Sequence, residues 1–146
     1  MTRNEFANKF LKVFCSHIPQ KQLKKFHIGT GKKHFLWNVF AGKLVPCFEG
    51  DAARKEYDKV DKTCAEEIIY DNCARVTSDA YSSILSQQHL TSRDIDESGL
   101  MEFYVVGCDF AWCYVITHEF DLCGPYFCYN PINRTGERAG DDLREP

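Results

Sequence analysis

Hydrophobic residues at the start of the chain recur at the spacing of an α-helix. The positions that share one helical face are Phe6, Phe10, Val13, Phe14 and His17. Thr2 and Glu5 match the capping-box pattern, in which each side chain satisfies a backbone N–H of the first turn. Pro19 cannot continue a helix. The pattern predicts a helix that begins after Thr2, ends before Pro19 and buries an aromatic stripe.

The next stretches alternate between apolar and charged residues. Residues 34–40 are apolar enough to be buried as a strand or as a short helix. Residues 51–62 predict an exposed, charged helix, in which Arg54 and Asp58 have the spacing of an ion pair.

Three further segments complete the middle of the chain. The β-favouring residues 66–70 predict a strand. Ser78 is a suitable N-cap for a helix over 79–88. The polar and acidic residues 91–99 predict a loop.

The last third of the chain carries the strongest strand pattern. Residues 102–106 and 110–117 are rich in apolar residues, and the second stretch is apolar on both faces. A strand of that kind belongs in the middle of a sheet that is covered on each face. A third strand is predicted over 126–129, with Pro125 at its beginning. We therefore predict an α+β fold with a central, mostly antiparallel sheet, whose strands within 102–129 pack against helices.

Length and composition set the scale of this fold. With 146 residues, of which 44% are hydrophobic and 27% charged, the chain has room for one ordinary globular domain. We assign residues 1–130 to that domain and expect the polar residues 131–146 to form a frayed tail. The apolar stretches are too short for a membrane span, and the charged start differs from a secretory signal. The sequence therefore predicts a cytoplasmic protein without a membrane partner.

The net charge of −3 conceals an asymmetry along the chain. Residues 1–48 hold nine basic residues and one acidic residue, whereas residues 49–146 hold nine basic and twenty acidic residues. If the two parts do not interleave in space, the surface is bipolar. A large acidic surface attracts basic proteins and repels nucleic acid, so nucleic acid is not the expected partner. The alternative is that helix exteriors simply carry opposite charge in the two parts.

Eight cysteines raise the questions of disulfides and of metal. The chain is long enough to fold without bridges, so we expect reduced thiols that act as small buried hydrophobes. Four of the cysteines form the pattern C-x4-C-x9-C-x4-C, and a hairpin centred near His118 would pair them as Cys113 with Cys123 and Cys108 with Cys128. Two separated pairs do not make a tetrahedral zinc site, and we expect no metal and no other cofactor.

Two other kinds of chemistry remain open. His118-Glu119 is the best acid–base candidate, and with a nearby cysteine it would define a small cysteine/histidine-dependent hydrolase. The lysines from Lys21 to Lys33, interleaved with phenylalanine, would suit an anion- or RNA-binding module. A structural histidine and a solvated lysine face are the simpler interpretations.

Three stretches of the chain resemble a family of small bacterial domains of unknown function. They are Leu36-Trp37-Asn38-Val39-Phe40, the run from Pro46 to Arg54 (PCFEGDAAR), and the run from Asp109 to Glu119 (DFAWCYVITHE) followed by Gly124-Pro125-Tyr126-Phe127. The last contains the pattern W-x-Y-V-x-T-H-E…G-P-Y-F, and the similarity covers about residues 34–128. This resemblance implies no catalytic residues.

In size, acidity and the lack of a convincing catalytic constellation, the chain also resembles bacterial immunity proteins of contact-dependent growth inhibition and related polymorphic toxin systems. That resemblance implies a stable scaffold that binds one cognate toxin domain. Many such toxins are basic nucleases, which an acidic inhibitor would recognise through charge complementarity. The chain would then act by protein–protein interaction and not as an enzyme. The predicted toxin-binding residues are Asp51, Asp58, Asp61, Asp94, Asp96 and Glu97.

Overall fold

The computed structural model describes residues 2–29, 33–69, 81–84, 90–99, 102–117, 119 and 122–131. The helices are α1 (Arg3–Phe14), α2 (Gln20–Lys25), α3 (Asn38–Ala41), α4 (Asp51–Lys59) and α5 (Ser92–Ser98). The strands are β1 (Phe48–Glu49), β2 (Glu66–Ile69), β3 (Tyr81–Ile84), β4 (Phe103–Val106), β5 (Trp112–Ile116) and β6 (Tyr126–Tyr129). They form one antiparallel sheet in the order β1-β6-β5-β4-β2-β3, so the predicted α+β fold is confirmed.

Helices cover both faces of the sheet because its central strands are apolar on both sides. The sheet residues that pack with α1, α2 and α3, which we call the first helical layer, are Ile68, Tyr104, Val106, Cys113, Val115, Tyr126 and Cys128. Those that pack with α4 and α5, the second helical layer, are Phe103, Val105, Trp112, Tyr114, Ile116 and Phe127. Alternate residues along each strand thus enter different cores, as the pleat requires. The prediction of an internal strand covered on both faces is confirmed for β5.

The first helix follows its predicted pattern. Glu5 N donates to Thr2 Oγ1 at 3.1 Å, and Thr2 N donates to Glu5 Oε1 at 2.8 Å, which completes the capping box. Phe6, Phe10 and Phe14 are fully buried against the sheet and α3. Burying each ring contributes about 2 kcal/mol to folding. The aromatic stripe is therefore the main attachment of α1 to the core.

Two other predicted segments form helices with some differences. The apolar stretch 34–40 leads into the short helix α3, which resolves the choice between strand and helix. The charged helix α4 is not exposed all round, because Ala53 and Tyr57 are fully buried against the sheet. Within the described ranges, no helix is long and apolar enough to cross a membrane.

Strand β3 corrects one prediction. The sequence predicts a helix over 79–88, but Tyr81–Ile84 pairs with β2 as an antiparallel strand. Helical and strand periodicities are hard to separate in so short a stretch, and β2 offers backbone partners that a helix would not use. The Ser78 cap, the rest of that predicted helix and residues 132–146 of the predicted tail lie outside the described residues.

Helix α5 corrects a second prediction, because residues 91–99 do not form a loop. Thr91 and Asp94 form a capping box, in which Asp94 N donates to Thr91 Oγ1 at 3.1 Å and Thr91 N donates to Asp94 Oδ2 at 3.2 Å. Gly99 follows the helix with a left-handed φ of 76°. Helix α5 has one buried apolar residue, Ile95, which attaches the helix to the core.

The pairing of β2 with β4 places Cys64 opposite Cys108. Glu66 pairs with Val106, and the same register continued by two residues joins the two cysteines. Their Cα atoms are 5.3 Å apart and their sulfur atoms form a disulfide. The expectation that all thiols are reduced is therefore wrong for this pair. Strand register brings together cysteines whose distance in the sequence suggested no relation.

Candidate functional site

The second helical layer brings the predicted acidic residues to one side of the molecule. Asp51 and Asp58 lie on α4 and Asp61 follows it, whereas Asp94, Asp96 and Glu97 lie on α5. Helices α4 and α5 pack against each other and against the same core. Within their bounds these helices carry four basic and six acidic residues, whereas α1, α2 and α3 carry six basic residues and one acidic residue. The charge asymmetry of the sequence is thus also an asymmetry between the two faces of the sheet.

Arg54 links the two helices by binding two of these acids. Arg54 Nη1 lies 2.9 Å from Asp51 Oδ1 on its own helix, and Arg54 Nε lies 3.0 Å from Asp96 Oδ2 on α5. Burial alone lowers the pKa of Arg54, but the net shift is upward because the Asp96 carboxylate and the hydrogen bonds favour the guanidinium. The predicted pairing of Arg54 with Asp58 is wrong, since α5 supplies a nearer acceptor.

Asp58 makes a second link between α4 and α5. Its two carboxylate oxygens accept hydrogen bonds from the backbone N–H of Ser92 at 2.8 Å and from the Ser92 hydroxyl at 2.9 Å. Ser92 is buried, and a backbone N–H in the first turn of a helix has no acceptor within that helix. Asp58 therefore acts as an extra cap for α5, contributed by the neighbouring helix.

The other three acids are bound within their own segments. Asp61 accepts hydrogen bonds from the side chain and backbone of Thr63, which lower the pKa of its carboxyl group. Asp94 caps α5 through Thr91, as described above. Glu97 pairs with Arg93 at 3.0 Å on the exposed surface of α5.

These contacts separate five of the six acids into two groups, and the sixth, Asp96, holds Arg54 against α5. Asp58 and Asp94 have their carboxylates on backbone N–H groups, so they hold the helices in place. Asp51, Asp61 and Glu97 are exposed and bind only nearby side chains or the backbone of a surface turn, so part of each carboxylate faces solvent. The Asp51 side chain is 90% exposed, the largest fraction among the acids of these ion pairs.

Two buried tyrosines beneath α4 and α5 lie close to carboxylates that affect their pKa values. Tyr57 on α4 stacks on Tyr114 of β5 with ring centres 4.3 Å apart. Burial raises the pKa of both phenols, and the carboxylates of Glu67 on β2, Asp58 and Asp94 raise that of Tyr57 further. The Tyr114 hydroxyl has no hydrogen-bond partner among the described residues. Both phenols are therefore neutral and serve as packing.

Three of the described thiols are unsuited to the alternative function of a cysteine-dependent enzyme. Burial raises the pKa of Cys15 and of Cys47 to about 12, and it also raises that of the fully buried Cys113. These groups stay protonated at neutral pH, whereas a nucleophile must be a thiolate. Cys123 is half-buried, and its thiol donates to Glu119 Oε1 at 3.9 Å and lies 4.0 Å from the Thr117 hydroxyl oxygen. The acid–base candidate His118 lies outside the described residues.

The four cysteines of the C-x4-C-x9-C-x4-C pattern lie in three different environments. Cys108 is bonded to Cys64, Cys113 pairs across the sheet with Cys128, and Cys123 precedes β6. The expected hairpin pairing of Cys113 with Cys123 is wrong, because the turn between β5 and β6 is longer than that register requires. In the described part of the chain, no group of three or more candidate ligands could hold a metal ion.

Two features of this structure escaped sequence reasoning. Arg54 and Ser92 organise the acidic residues through contacts that span 42 and 34 residues of sequence. The buried carboxylate of Glu102 accepts from the indole N–H of Trp37 at 2.9 and 3.1 Å, which ties the first helical layer to the start of β4. No local pattern identifies either feature, since both depend on how distant segments pack.

The fold and the charged layers define a small α+β protein with helices on both faces of an antiparallel sheet. The chain belongs to the family described as Domain of unknown function (DUF4275), which matches residues 3–127. The resemblance to a small family of unknown function is thereby confirmed, and the match also includes α1. Neither a curated protein nor a solved structure matches the chain.

Proposed function

We propose that this protein is an immunity protein, which binds and neutralises a cognate bacterial toxin domain through the outer surface of α4 and α5. The observation that carries the proposal is the pair of links between these helices. Arg54 and Asp58 fix the relative position of α4 and α5, so the outward acids Asp51 and Glu97 are held on a preformed surface. A preformed surface binds more tightly because less conformational freedom is lost on association.

Charge supports a basic partner for this surface. The outward carboxylates would attract a cationic protein, accelerate the encounter and reject acidic competitors. A nuclease domain, whose substrate groove must be basic to hold phosphates, is such a partner. The inhibitor would cover that groove in the cytoplasm. The cytoplasm would reduce the Cys64–Cys108 disulfide. The stability of the reduced protein would then depend on the hydrophobic cores on the two faces of the sheet.

Growth in a bacterial host tests the role. The probe is the toxin domain encoded immediately upstream of this chain in its genome, expressed with and without the chain. We expect the toxin domain alone to arrest growth and co-expression to restore it. No toxin domain at that position, or no rescue by a chain shown to be folded and expressed, would refute the proposal.

A matched pair of variants tests the surface separately from the role. Asp51→Lys/Glu97→Lys reverses two outward acids of the second layer, and Glu49→Lys/Asp109→Lys reverses two exposed acids outside α4 and α5. We expect the first variant to bind the same toxin domain at least tenfold more weakly and with a flatter salt dependence, and the second to bind as the wild type does. Equal effects of the two variants would show that this interface is wrong.

A further inference from the structure

A cluster of lysines lies where α2 and α3 end, on the opposite side of the sheet from α4 and α5. It consists of Lys21, Lys24, Lys25, Lys33 and Lys43, which are all exposed, and we call it the lysine patch. The three lysines of α2 share one helical face because their positions are i, i+3 and i+4. Leu23, two residues from the first of them, is buried on the opposite side of that helix.

The ends of α2 and α3 are in direct contact, which unites the patch. A Cβ atom on Gly42 would lie 2.8 Å from Cδ1 of Phe26, so the absence of a side chain permits this approach. Asn38 Nδ2 donates to the carbonyl oxygens of Phe26 and His27 at 3.1 Å each. Lys25 Nζ lies 5.8 Å from the centre of the Phe26 ring. The contact of Phe26 with Gly42 therefore brings the lysines at the end of α2 close to Lys43, which follows α3.

Both helices end in a Schellman motif that carries an unusual residue. At the end of α3, Lys43 N donates to Phe40 O and Leu44 N donates to Val39 O, each at 3.0 Å. Lys43 has a φ of 59°, at the position where this motif usually has glycine because a Cβ is strained at positive φ. His27 occupies the corresponding position after α2, with a φ of 57°.

Lys33 has the same left-handed conformation, with a φ of 62°. At Lys33 and Lys43 the backbone alone favours glycine or asparagine, yet the chain has a cation. The helix dipole favours a cation near a helix C-terminus, but α3 has four residues and Lys33 does not lie at a helix end.

Within the described part of the chain, the lysines of the patch have no ion-pair partners. No carboxylate of the described residues lies within 4.0 Å of any of its five ammonium groups. Burial and the Glu49 carboxylate raise the pKa of the nearby Cys47 thiol, whereas the Lys43 ammonium lowers it. A cluster of exposed, unpaired cations produces a positive potential that attracts anions over a Debye length.

We propose that the lysine patch binds the phosphate backbone of single-stranded nucleic acid. The exposed His27 ring contacts that of His34 at a centre distance of 5.3 Å and provides a surface on which bases can stack. A membrane surface fits less well, because interfacial segments pair their cations with exposed apolar side chains. Among the described residues the exposed large apolar side chain is Leu122, which lies outside the patch.

This proposal does not depend on toxin binding by the second helical layer. The expectation that nucleic acid is not a partner rests on the acidity of the sequence beyond residue 48. The sheet places the acidic helices and the lysine patch on opposite sides, so the repulsion acts at a distance at which salt screens it.

Fluorescence anisotropy with a labelled oligouridine of about 12 nucleotides tests the proposal. If all five lysines contact phosphates, affinity falls roughly 130-fold between about 50 and about 200 mM salt, because each contact contributes about 0.7 to the logarithmic slope. Lys33→Gly/Lys43→Gly leaves three contacts and reduces that fall to roughly 20-fold. Because glycine suits the backbone at both positions, the urea midpoint of this double variant should equal or exceed that of the wild type.

Two controls separate charge from structure. Lys33→Arg/Lys43→Arg keeps both charges and should keep the salt dependence of the wild type. Lys55→Ala/Lys59→Ala removes two charges from α4, on the opposite side, and should change the affinity less than about threefold.

Three results would overturn the proposal. The first is wild-type affinity for oligouridine after Lys33→Gly/Lys43→Gly, and the second is an equal loss after Lys55→Ala/Lys59→Ala. The third is lysine-dependent binding to phosphatidylserine vesicles without binding to oligouridine, which would assign the patch to a membrane surface. Failure of the toxin rescue described above leaves all three measurements unaffected, so the two proposals can fail separately.

Discussion

Replacing Asp58 with alanine removes the acceptor that joins α4 to α5. The carboxylate accepts from the Ser92 backbone N–H at 2.8 Å and from its hydroxyl at 2.9 Å. A hydrogen bond to a charged group contributes about 1.5 to 3 kcal/mol, but Asp58 is exposed and water replaces part of each bond. Ser92 is buried, so its N–H loses an acceptor that water supplies poorly. We expect Asp58→Ala to lower the free energy of unfolding by about 2 kcal/mol.

Urea unfolding followed by far-ultraviolet circular dichroism measures this loss, and a double-mutant cycle assigns it. Ser92→Ala removes only the hydroxyl bond and should lower the free energy of unfolding by about 1 kcal/mol. The double variant should lose about 2 kcal/mol, less than the sum of the single losses, because the hydroxyl bond can be lost only once. Asp51→Ala is the matched control: its carboxylate is 90% exposed, and its loss should be below about 0.5 kcal/mol.

Either of two results would refute this reasoning. If Asp58→Ala unfolds within about 0.5 kcal/mol of the wild type, the link between α4 and α5 contributes no more than an exposed ion pair. If the losses of Asp58→Ala and Ser92→Ala add fully, the two residues act independently, and the cap across the helices does not exist.

The thiols and one close glycine contact have equally definite expected outcomes. Because burial raises the pKa of Cys15 to about 12, its alkylation by iodoacetamide at about pH 8 should be roughly a thousandfold slower than that of a free thiol. The rate should increase with each rise in pH, and mass spectrometry of the labelled peptide measures it. Fast labelling at neutral pH would contradict the burial of this thiol. A count of free thiols in denaturant should find two fewer in unreduced protein than in reduced protein, and Cys64→Ser/Cys108→Ser should remove that difference. An unchanged difference would place the disulfide elsewhere. Gly107→Ala would put a Cβ atom 2.5 Å from Nε1 of the rigid Trp112 ring, so it should lower the free energy of unfolding by about 2 kcal/mol. Urea unfolding measures this loss. A variant with the urea midpoint of the wild type would show that the ring can move aside.

Local signals account for the elements that the sequence predicted correctly. The capping box of Thr2 and Glu5 and the spacing of the phenylalanines depend only on neighbouring turns of α1. Likewise, the two apolar faces of β5 are visible in the residues of that strand alone. Such signals need no knowledge of the rest of the fold, because each lies within a few turns of one helix or within one strand.

The elements that sequence reasoning missed depend on partners far along the chain or on a neglected motif. Strand β3 forms because β2 presents a backbone edge, which the residues of β3 do not reveal. Helix α5 could have been found, because Thr91 and Asp94 have the capping-box spacing and Gly99 has the place of a C-terminal glycine. The abundance of acidic residues in that segment concealed a regular helix start.

The charge asymmetry of the sequence selected six acidic residues, but it could not show which of them stabilise the fold. All six candidates lie on or next to α4 and α5, as the asymmetry of the sequence suggested. Only the packing of the two helices shows that Asp58 binds Ser92 and that Arg54 lies between Asp51 and Asp96. The distinction between carboxylates that stabilise the fold and those that face solvent is therefore a property of tertiary structure.

Opposite charges on the helical layers of the two faces give the described part of the protein an electric dipole that is perpendicular to the sheet. In dilute buffer, such a dipole turns an approaching macromolecule toward one face before contact, and it would also stack copies of the protein head to tail. Added salt weakens both effects together. Light scattering against ionic strength would reveal this orientation as an average mass that declines with added salt, even without any partner.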